Sequence, residues 1–187
     1  MQTKTNICAI VAVGPDNVIG RNGVMPWDCK SDMYHFRQTT LHQPCIFGRT
    51  TFENLPQKPL PNRFNIVCSS KYQNKYHNNV FYADSIESAL QECSKYPTVF
   101  ICGGAQIYKY AFDNNLIKTL YLTIIKNQTL KNAIRKSPNS YCRFEPNISK
   151  FFNSPEWSVE QIRYSKNALP KDTNNTFAEF YKFTLTR

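Results

Sequence analysis

The sequence predicts an α/β domain with a mostly parallel sheet, helices on both of its faces and an antiparallel end. Two observations carry this. The first two-thirds of the chain alternates short apolar runs with segments of helical spacing, the pattern of repeated strand–helix units. The last third holds two segments in which apolar and polar residues alternate, the pattern of half-buried antiparallel strands. The 187 residues suit one domain spanning 1–187. A chain of this length buries roughly 70% of its unfolded surface, so neither a disulfide nor a metal is needed for folding.

The elements follow in order. Ile7 to Val13 is a continuous, β-branched apolar run and reads as a buried strand, broken by Gly14-Pro15-Asp16-Asn17. Val18 to Cys29 has no period and contains Gly20, Gly23 and Pro26, which suggests a lid or binding loop. Lys30 to Leu41 fits a helix with Met33, Phe36 and Thr40 inward. Cys45 to Gly48 is a short buried strand, Thr50 to Leu55 a short helix stopped by prolines, and Phe64 to Cys68 another strand. Val80 to Tyr82 is a strand, and Ser85 to Tyr96 an amphipathic helix with Ser85 as N-cap. Val99 to Cys102 is a strand running into Gly103-Gly104, Ala105 to Phe112 a helix and Thr119 to Ile125 a strand. Lys126 to Asn153 reads as polar and loop-rich. Trp157 to Tyr164 and Phe177 to Leu185 form the closing strand pair around a turn at 170–175.

Composition narrows the function classes. The aromatic content of 14% and hydrophobic content of 41% exclude a disordered chain despite the net charge of +10. No run is long enough for a membrane span, and the N-terminal apolar run makes a poor secretory signal, so a cytoplasmic protein is expected. The seven cysteines stand at least nine positions apart. They form no metal or redox motif and read as small buried hydrophobes. Asn-x-Ser/Thr sites at Asn127, Asn147 and Asn174 read as chance products of an Asn-rich chain. The positive charge invites a nucleic-acid reading, but the basic residues are scattered. Attraction of small polyanions is the other use of such charge.

Three strand-to-helix junctions could carry chemistry. Gly103-Gly104 allows close backbone approach to a pyrophosphate at a helix start, although a glycine pair there also makes an ordinary tight turn and no Gly-x-Gly-x-x-Gly is present. Gly48-Arg49-Thr50-Thr51 offers a glycine, a cation and hydroxyls. Ser69-Ser70-Lys71 offers two hydroxyls and a cation. Together they suggest a ligand with several phosphates along the carboxyl ends of the strands. Asp32 has two readings: a carboxyl buried beside Phe36, with its pKa raised so that it can hold a proton, or an acid favourable to the helix dipole. Arg63, in Pro59-Leu60-Pro61-Asn62-Arg63, is either a fork for a carboxylate or a solvated surface residue.

Taken together, the chain resembles the dihydrofolate reductase family. The pieces stand in the family's order: Ala12-Val13 into Val18-Ile19-Gly20, Met25-Pro26-Trp27 with Asp32, Phe36, Gly48-Arg49-Thr50-Thr51-Phe52-Glu53, Pro59-Leu60-Pro61-Asn62-Arg63, Ser69-Ser70, Ile101-Cys102-Gly103-Gly104-Ala105-Gln106-Ile107-Tyr108, and Tyr121-Leu122-Thr123. Phe180-Tyr181-Lys182-Phe183 suits the last strand.

The resemblance implies an eight-stranded sheet with an antiparallel C-terminal strand and about four helices. It implies NADPH as cofactor and dihydrofolate as substrate, a monomer, and no requirement for nucleic acid or membrane. It also implies roles. Asp32 anchors the pterin and promotes water-mediated protonation of N5. Thr123 bonds Asp32 and the pterin. Trp27 holds an ordered water, and Met25 belongs to the lid. Met33, Phe36 and Leu60 grip the p-aminobenzoyl group, and Arg63 the glutamate carboxylate. The backbones of Cys8, Ala9 and Cys102 face the pteridine. Ile10, Ile19 and Gly20 meet the nicotinamide amide, and Tyr108 lies near nicotinamide and pterin. Gly48, Arg49, Thr50, Thr51, Ser69, Ser70, Lys71, Gly103, Gly104, Ala105, Gln106 and Ile107 complete the cofactor-binding set, with Arg49, Ser69, Ser70 and Lys71 selecting the 2′-phosphate. Against the family pattern, Tyr141-Cys142-Arg143-Phe144-Glu145-Pro146 replaces an acid before the late Phe-Pro, so the lid is expected to use other contacts. The competing readings are a pterin or pyrimidine reductase on the same fold, a basic nucleic-acid-binding protein and a catalytically dead relative.

Overall fold

The structure is a computed structural model that describes residues 5–71, 74–165, 168–172 and 176–186. Its chain groups into two compact units, Met1–Ala9 with Thr40–Lys118, and Ile10–Thr39 with Thr119–Arg187.

The first unit contains β3 (Pro44–Gly48), α2 (Arg49–Glu53), β4 (Phe64–Cys68), β5 (Lys75–His77), β6 (Val80–Ala83), α3 (Ile86–Glu92), β7 (Thr98–Ile101) and α4 (Ala105–Asp113), together with the first residues of β1 (Asn6–Val13). Its strand order is β1-β7-β3-β4-β6-β5. The pairings from β1 to β6 are parallel, with Cys8 opposite Phe100, Cys45 opposite Phe100 and Ile46 opposite Ile66. Such strands are buried on both faces, which explains their unbroken apolar runs. Ile46, Phe47, Ile66, Val67, Val99 and Ile101 are fully buried. At the far edge β5 pairs antiparallel with β6.

The second unit contains the rest of β1, β2 (Val18–Gly20), α1 (Lys30–Thr40), β8 (Thr119–Lys126), α5 (Gln128–Lys136), β9 (Cys142–Arg143), α6 (Ile148–Asn153), β10 (Trp157–Ile162) and β11 (Phe177–Leu185). Here the order is β10-β11-β8-β1. The long strand β11 runs antiparallel to both neighbours, with Phe180 opposite Thr123 and Phe183 opposite Leu120. The sheet containing β1 therefore has nine strands, mostly parallel, with an antiparallel C-terminal end. Among the described residues no helix is long and apolar enough to cross a membrane.

The structure departs from the sequence reading in four places. The sheet has nine strands rather than eight, because the polar edge segment Lys75–His77 pairs through its backbone although all three residues are exposed. The supposedly loop-rich stretch 126–153 folds into α5 and α6. Each begins at an asparagine cap: Asn127 accepts from the Leu130 amide and Asn147 from the Ser149 amide. Two of the three Asn-x-Ser/Thr asparagines are thus helix caps, and Asn174 lies outside the described residues. The irregular loop after β1 contains β2, which pairs with β9. Finally, Cys142 is exposed, whereas Cys8, Cys29, Cys45, Cys68 and Cys93 are buried and Cys102 half-buried.

Candidate active site

In the second unit, α1 buries a polar face. Ser31, Asp32, His35 and Thr40 are buried, while Met33 is 41% exposed. Apolar spacing assigned Met33 to the interior. The helix instead turns Ser31, Asp32 and His35 inward, where each finds a partner among the elements of that unit.

Asp32 is 6% exposed and lies in the first turn of α1. Its pKa is raised to about 6, first by burial and then by the negative charge of Asp172. The Thr123 hydroxyl, 1% exposed on β8, hydrogen-bonds the carboxyl and partly offsets that rise. A carboxyl so placed exchanges a proton near neutrality, as general acid–base work requires.

Trp27 precedes this helix and packs against Val18, Leu130, Ile134 and Tyr141, so α5 and β2 together support it. Gly14 makes this possible: a Cβ there would lie 3.0 Å from the Trp27 ring and 3.2 Å from Leu130. The Trp27 indole N–H is buried with no hydrogen-bond partner among the described residues. The rest of the loop is tied by a 2.8 Å bond from the Phe144 amide to the Asn17 carbonyl. The Arg21 guanidinium lies 5.2 Å from the Tyr141 ring centroid. Ile19 is half-buried, Gly20 and Ile10 are buried, and Met25 is exposed.

In the first unit, three glycines bring backbones together. The Gly48 amide donates to the Gly103 carbonyl at 2.6 Å, and the Gly103–Gly104 peptide is cis. Gly103 has φ +104°, and a Cβ there would meet the Tyr108 ring at 3.0 Å. A Cβ on Gly104 would sit 2.8 Å from Thr51 Oγ1. Gly104 is also the N-cap of α4 and makes no side-chain cap, which leaves the amide end of this nine-residue helix to an outside anion. Ala105 and Ile107 are half-buried beside it and Gln106 is exposed.

The other two junctions are more exposed. Thr51 is half-buried and Thr50 exposed. Arg49 holds both carboxylate oxygens of Glu53 at 3.0 Å. That pair is an exposed one between neighbouring turns, worth at most about 1 kcal/mol, so the guanidinium can exchange Glu53 for another anion. Ser69 is half-buried, and its hydroxyl accepts the Lys71 amide at 3.3 Å. Ser70 and Lys71 are exposed.

Leu60 and Arg63 are set by a residue that the sequence reading did not single out. Asn65, buried on β4, accepts from the Leu60 amide at 2.9 Å and donates to the Leu60 and Arg63 carbonyls at 2.9 and 3.0 Å. An asparagine inside the apolar run Phe64-Asn65-Ile66-Val67 was the available signal. Arg63 also reaches the half-buried Cys102 electrostatically. Burial, and then a hydrogen bond with Cys45, holds the Cys102 thiol protonated, while the Arg63 charge acts in the opposite direction. Cys8 and Ala9 are buried on β1. Phe36 is half-buried on α1 of the second unit.

Asp172 and His35 also escaped the sequence reading. Asp172 lies in the expected turn at 170–175, of which residues 173–175 fall outside the described residues. His35 is buried with Nδ1 2.6 Å from the Tyr164 hydroxyl, among the rings of Tyr121, Tyr164 and Phe180.

Comparison with known proteins assigns the family. Residues 6–177 match the family model described as dihydrofolate reductase. A dihydrofolate reductase of Candida albicans is 39% identical over 136 residues, covering 67% of this chain and 71% of that protein. The Haemophilus influenzae dihydrofolate reductase is 34% identical over 157 residues, covering 84% and 86%. The fold is similar to that of a solved Enterococcus faecalis dihydrofolate reductase complexed with NADP(H) and RAB-propyl. The TM-score is 0.72 at 23% identity, over the whole of both chains. The chain therefore belongs to the dihydrofolate reductase family of enzymes.

Proposed function

We propose that this chain reduces 7,8-dihydrofolate to 5,6,7,8-tetrahydrofolate with NADPH, acting as one functional domain over residues 1–187. The observation that carries the reading is Asp32, a buried carboxyl whose pKa of about 6 lets it hold a proton near neutrality.

NADPH supplies a hydride from nicotinamide C4 to the pterin C6. The residues fit such a cofactor. Gly48, Gly103 and Gly104 let this junction close up, since a Cβ on them would press on Ile107, Tyr108 and Thr51, and the uncapped amides of α4 favour a pyrophosphate. Thr50, Thr51, Gln106, Ala105 and Ile107 border the same junctions. Arg49, Ser69, Ser70 and Lys71 supply cations and hydroxyls for the ribose and the 2′-phosphate. Ile10, Ile19, Gly20 and Tyr108 are assigned to the nicotinamide end.

Asp32 binds the pterin 2-amino group and N3, and thereby raises the proton affinity of N5. The proton arrives through a water held by the buried Trp27 N–H. Thr123 orients the Asp32 carboxyl, and Met25 belongs to the loop that excludes bulk water. The backbones of Cys8, Ala9 and Cys102 face the pterin ring, while Met33, Phe36 and Leu60 contact the aminobenzoyl group. Arg63 takes the glutamate carboxylate as a fork. The protein's contribution is position and one managed proton. With dihydrofolate and NADPH as its small polyanionic partners, the scattered positive charge needs no nucleic acid, and a cytoplasmic monomer suffices.

The second reading is a pterin or pyrimidine reductase. The Asn65 clamp on the Leu60–Arg63 loop favours a substrate with a carboxylate tail. Dihydrofolate-dependent NADPH oxidation in wild type and Arg63→Leu separates the two. The proposal expects activity in the wild type, with a KM for dihydrofolate raised at least about tenfold in the variant and unchanged NADPH affinity. Equal activity of the wild type on a tail-less dihydropterin, or no effect of Arg63→Leu, contradicts it.

A further inference from the structure

Helix α1, which bears Asp32, has only a weak local cap, in which the Cys29 sulfur accepts from the Asp32 amide. The Cys29 carbonyl accepts the first helical bond, from the Met33 amide at 3.1 Å, so Cys29 stands at the N-cap position. A thiol is a poor substitute for the Ser, Asp or Asn that usually fills it. The Ser31 amide, two residues past the cap, is taken by a carboxylate from far along the chain: Asp172 Oδ1 accepts it at 2.9 Å across 141 residues. Asp172 Oδ2 accepts the Ser31 hydroxyl. The Ser31 hydroxyl in turn lies 3.4 Å from Cys29 Sγ. Both oxygens of Asp172 are thus spent on the residue next to Asp32.

We propose that Asp172 is a positioning residue for the reduction, which caps the catalytic helix through Ser31 and sets the negative charge that faces Asp32. This rests on the function proposed above. Among the described residues, three groups bear on the charge of the Asp32 carboxyl. One is the Thr123 hydroxyl from β8, whose hydrogen bond favours ionisation. Another is the Cys29 thiol from the segment before α1, held protonated with a pKa of about 11 and so uncharged. The third is the Asp172 carboxylate from the β10–β11 connection, whose charge opposes ionisation. Burial supplies most of the proton affinity of Asp32, and Asp172 adds to it. The same carboxylate fixes the first turn of α1, so the direction in which Asp32 is presented and the proton it holds depend on one distant side chain.

The test separates the charge of Asp172 from its capping oxygen. Asp172→Asn keeps an oxygen for the Ser31 amide and loses the charge, whereas Asp172→Glu keeps the charge. The Asp32 carboxyl is titrated directly by carbon NMR of protein labelled at aspartate, with Asp32→Asn assigning the resonance. The dihydrofolate-dependent rate is followed against pH in parallel. Asp172→Asn is expected to lower the Asp32 pKa by about 0.5–1 unit and to slow the reaction several-fold above neutrality, while Asp172→Glu titrates close to wild type. An Asp32 titration unchanged in Asp172→Asn overturns the proposal, even if the variant melts at a lower temperature, since a purely structural cap would do only that. The titration needs no substrate. A wild type without dihydrofolate-dependent activity therefore defeats the assigned reaction, and an unmoved titration defeats the role of Asp172.

Discussion

The Thr123 hydroxyl on β8 hydrogen-bonds the Asp32 carboxyl on α1, and both side chains are almost wholly buried. That bond works against the effect of burial. Desolvation pushes Asp32 toward its protonated form, and the hydroxyl draws it back, so the carboxyl rests at about 6. Thr123→Val removes the bond at nearly constant shape. It is expected to raise the Asp32 pKa and to weaken dihydrofolate binding about tenfold, as read by titration and by KM. An unchanged KM would show that the hydroxyl has no part in binding.

Asp32 also costs stability. Its folded pKa of about 6 exceeds the ordinary 3.8, so between those values the folded chain binds more protons than the unfolded one. Stability therefore falls as pH rises through this window, and the cost persists at neutrality. Asp32→Asn is expected to raise unfolding stability at pH 7 by up to ~3 kcal/mol while cutting activity roughly 100-fold or more. Urea unfolding checks the first part, and a variant less stable than wild type would contradict it.

His35 has the opposite slope. Burial lowers its pKa from 6.5 to about 4, so the unfolded chain binds more protons between these values. Stability is then lost as pH falls from 6.5 toward 4. His35→Phe, among aromatic neighbours, is expected to flatten this acid-side loss in unfolding measured at several pH values. A variant with the wild-type slope would show that His35 does not titrate on unfolding.

Gly104 tests the glycine junction. Gly104→Ala would place a Cβ 2.8 Å from Thr51 Oγ1, a side-chain atom that can turn aside. The fold is expected to survive, while NADPH affinity drops at least about tenfold in a fluorescence titration. Unchanged affinity would move the phosphates away from this junction.

Asn65 tests the proposed tail-binding role of the Leu60–Arg63 loop. Asn65→Ala leaves the Leu60 amide and two carbonyls without their partner. It is expected to cost about 1–3 kcal/mol of stability and to raise the KM for dihydrofolate more than that for NADPH. Equal changes in both would mean that the loop serves no particular ligand.

What could be read from the sequence divides along physical lines. Local signals carried well: the apolar parallel strands, the glycine pair after β7 and the Ser85 cap, which accepts from the Ser88 amide as expected. Asp32 stood out through the family resemblance, since its position alone also fits an ordinary first-turn acid. Met33 is exposed because α1 buries a polar face, and apolar periodicity fails where polar side chains turn inward. Helix α5 was hidden because only Leu130 and Ile134 among its nine residues are buried. Asn65 clamps a loop that precedes it, and Asp172 caps a helix from 141 positions away. The asparagine inside an apolar run hints at the first of these, whereas the Asp172 pairing leaves no trace in composition or spacing.

The central claim is that Asp32 governs the proton that the reduction consumes. Single-turnover reduction of dihydrofolate by the NADPH complex, followed across pH in wild type and Asp32→Asn, tests it most directly. The account predicts a wild-type rate that declines as pH rises through about 6. It predicts a variant that is slow at neutrality and recovers only in acid, where the substrate brings its own proton. A variant with the wild-type profile and rate would contradict it.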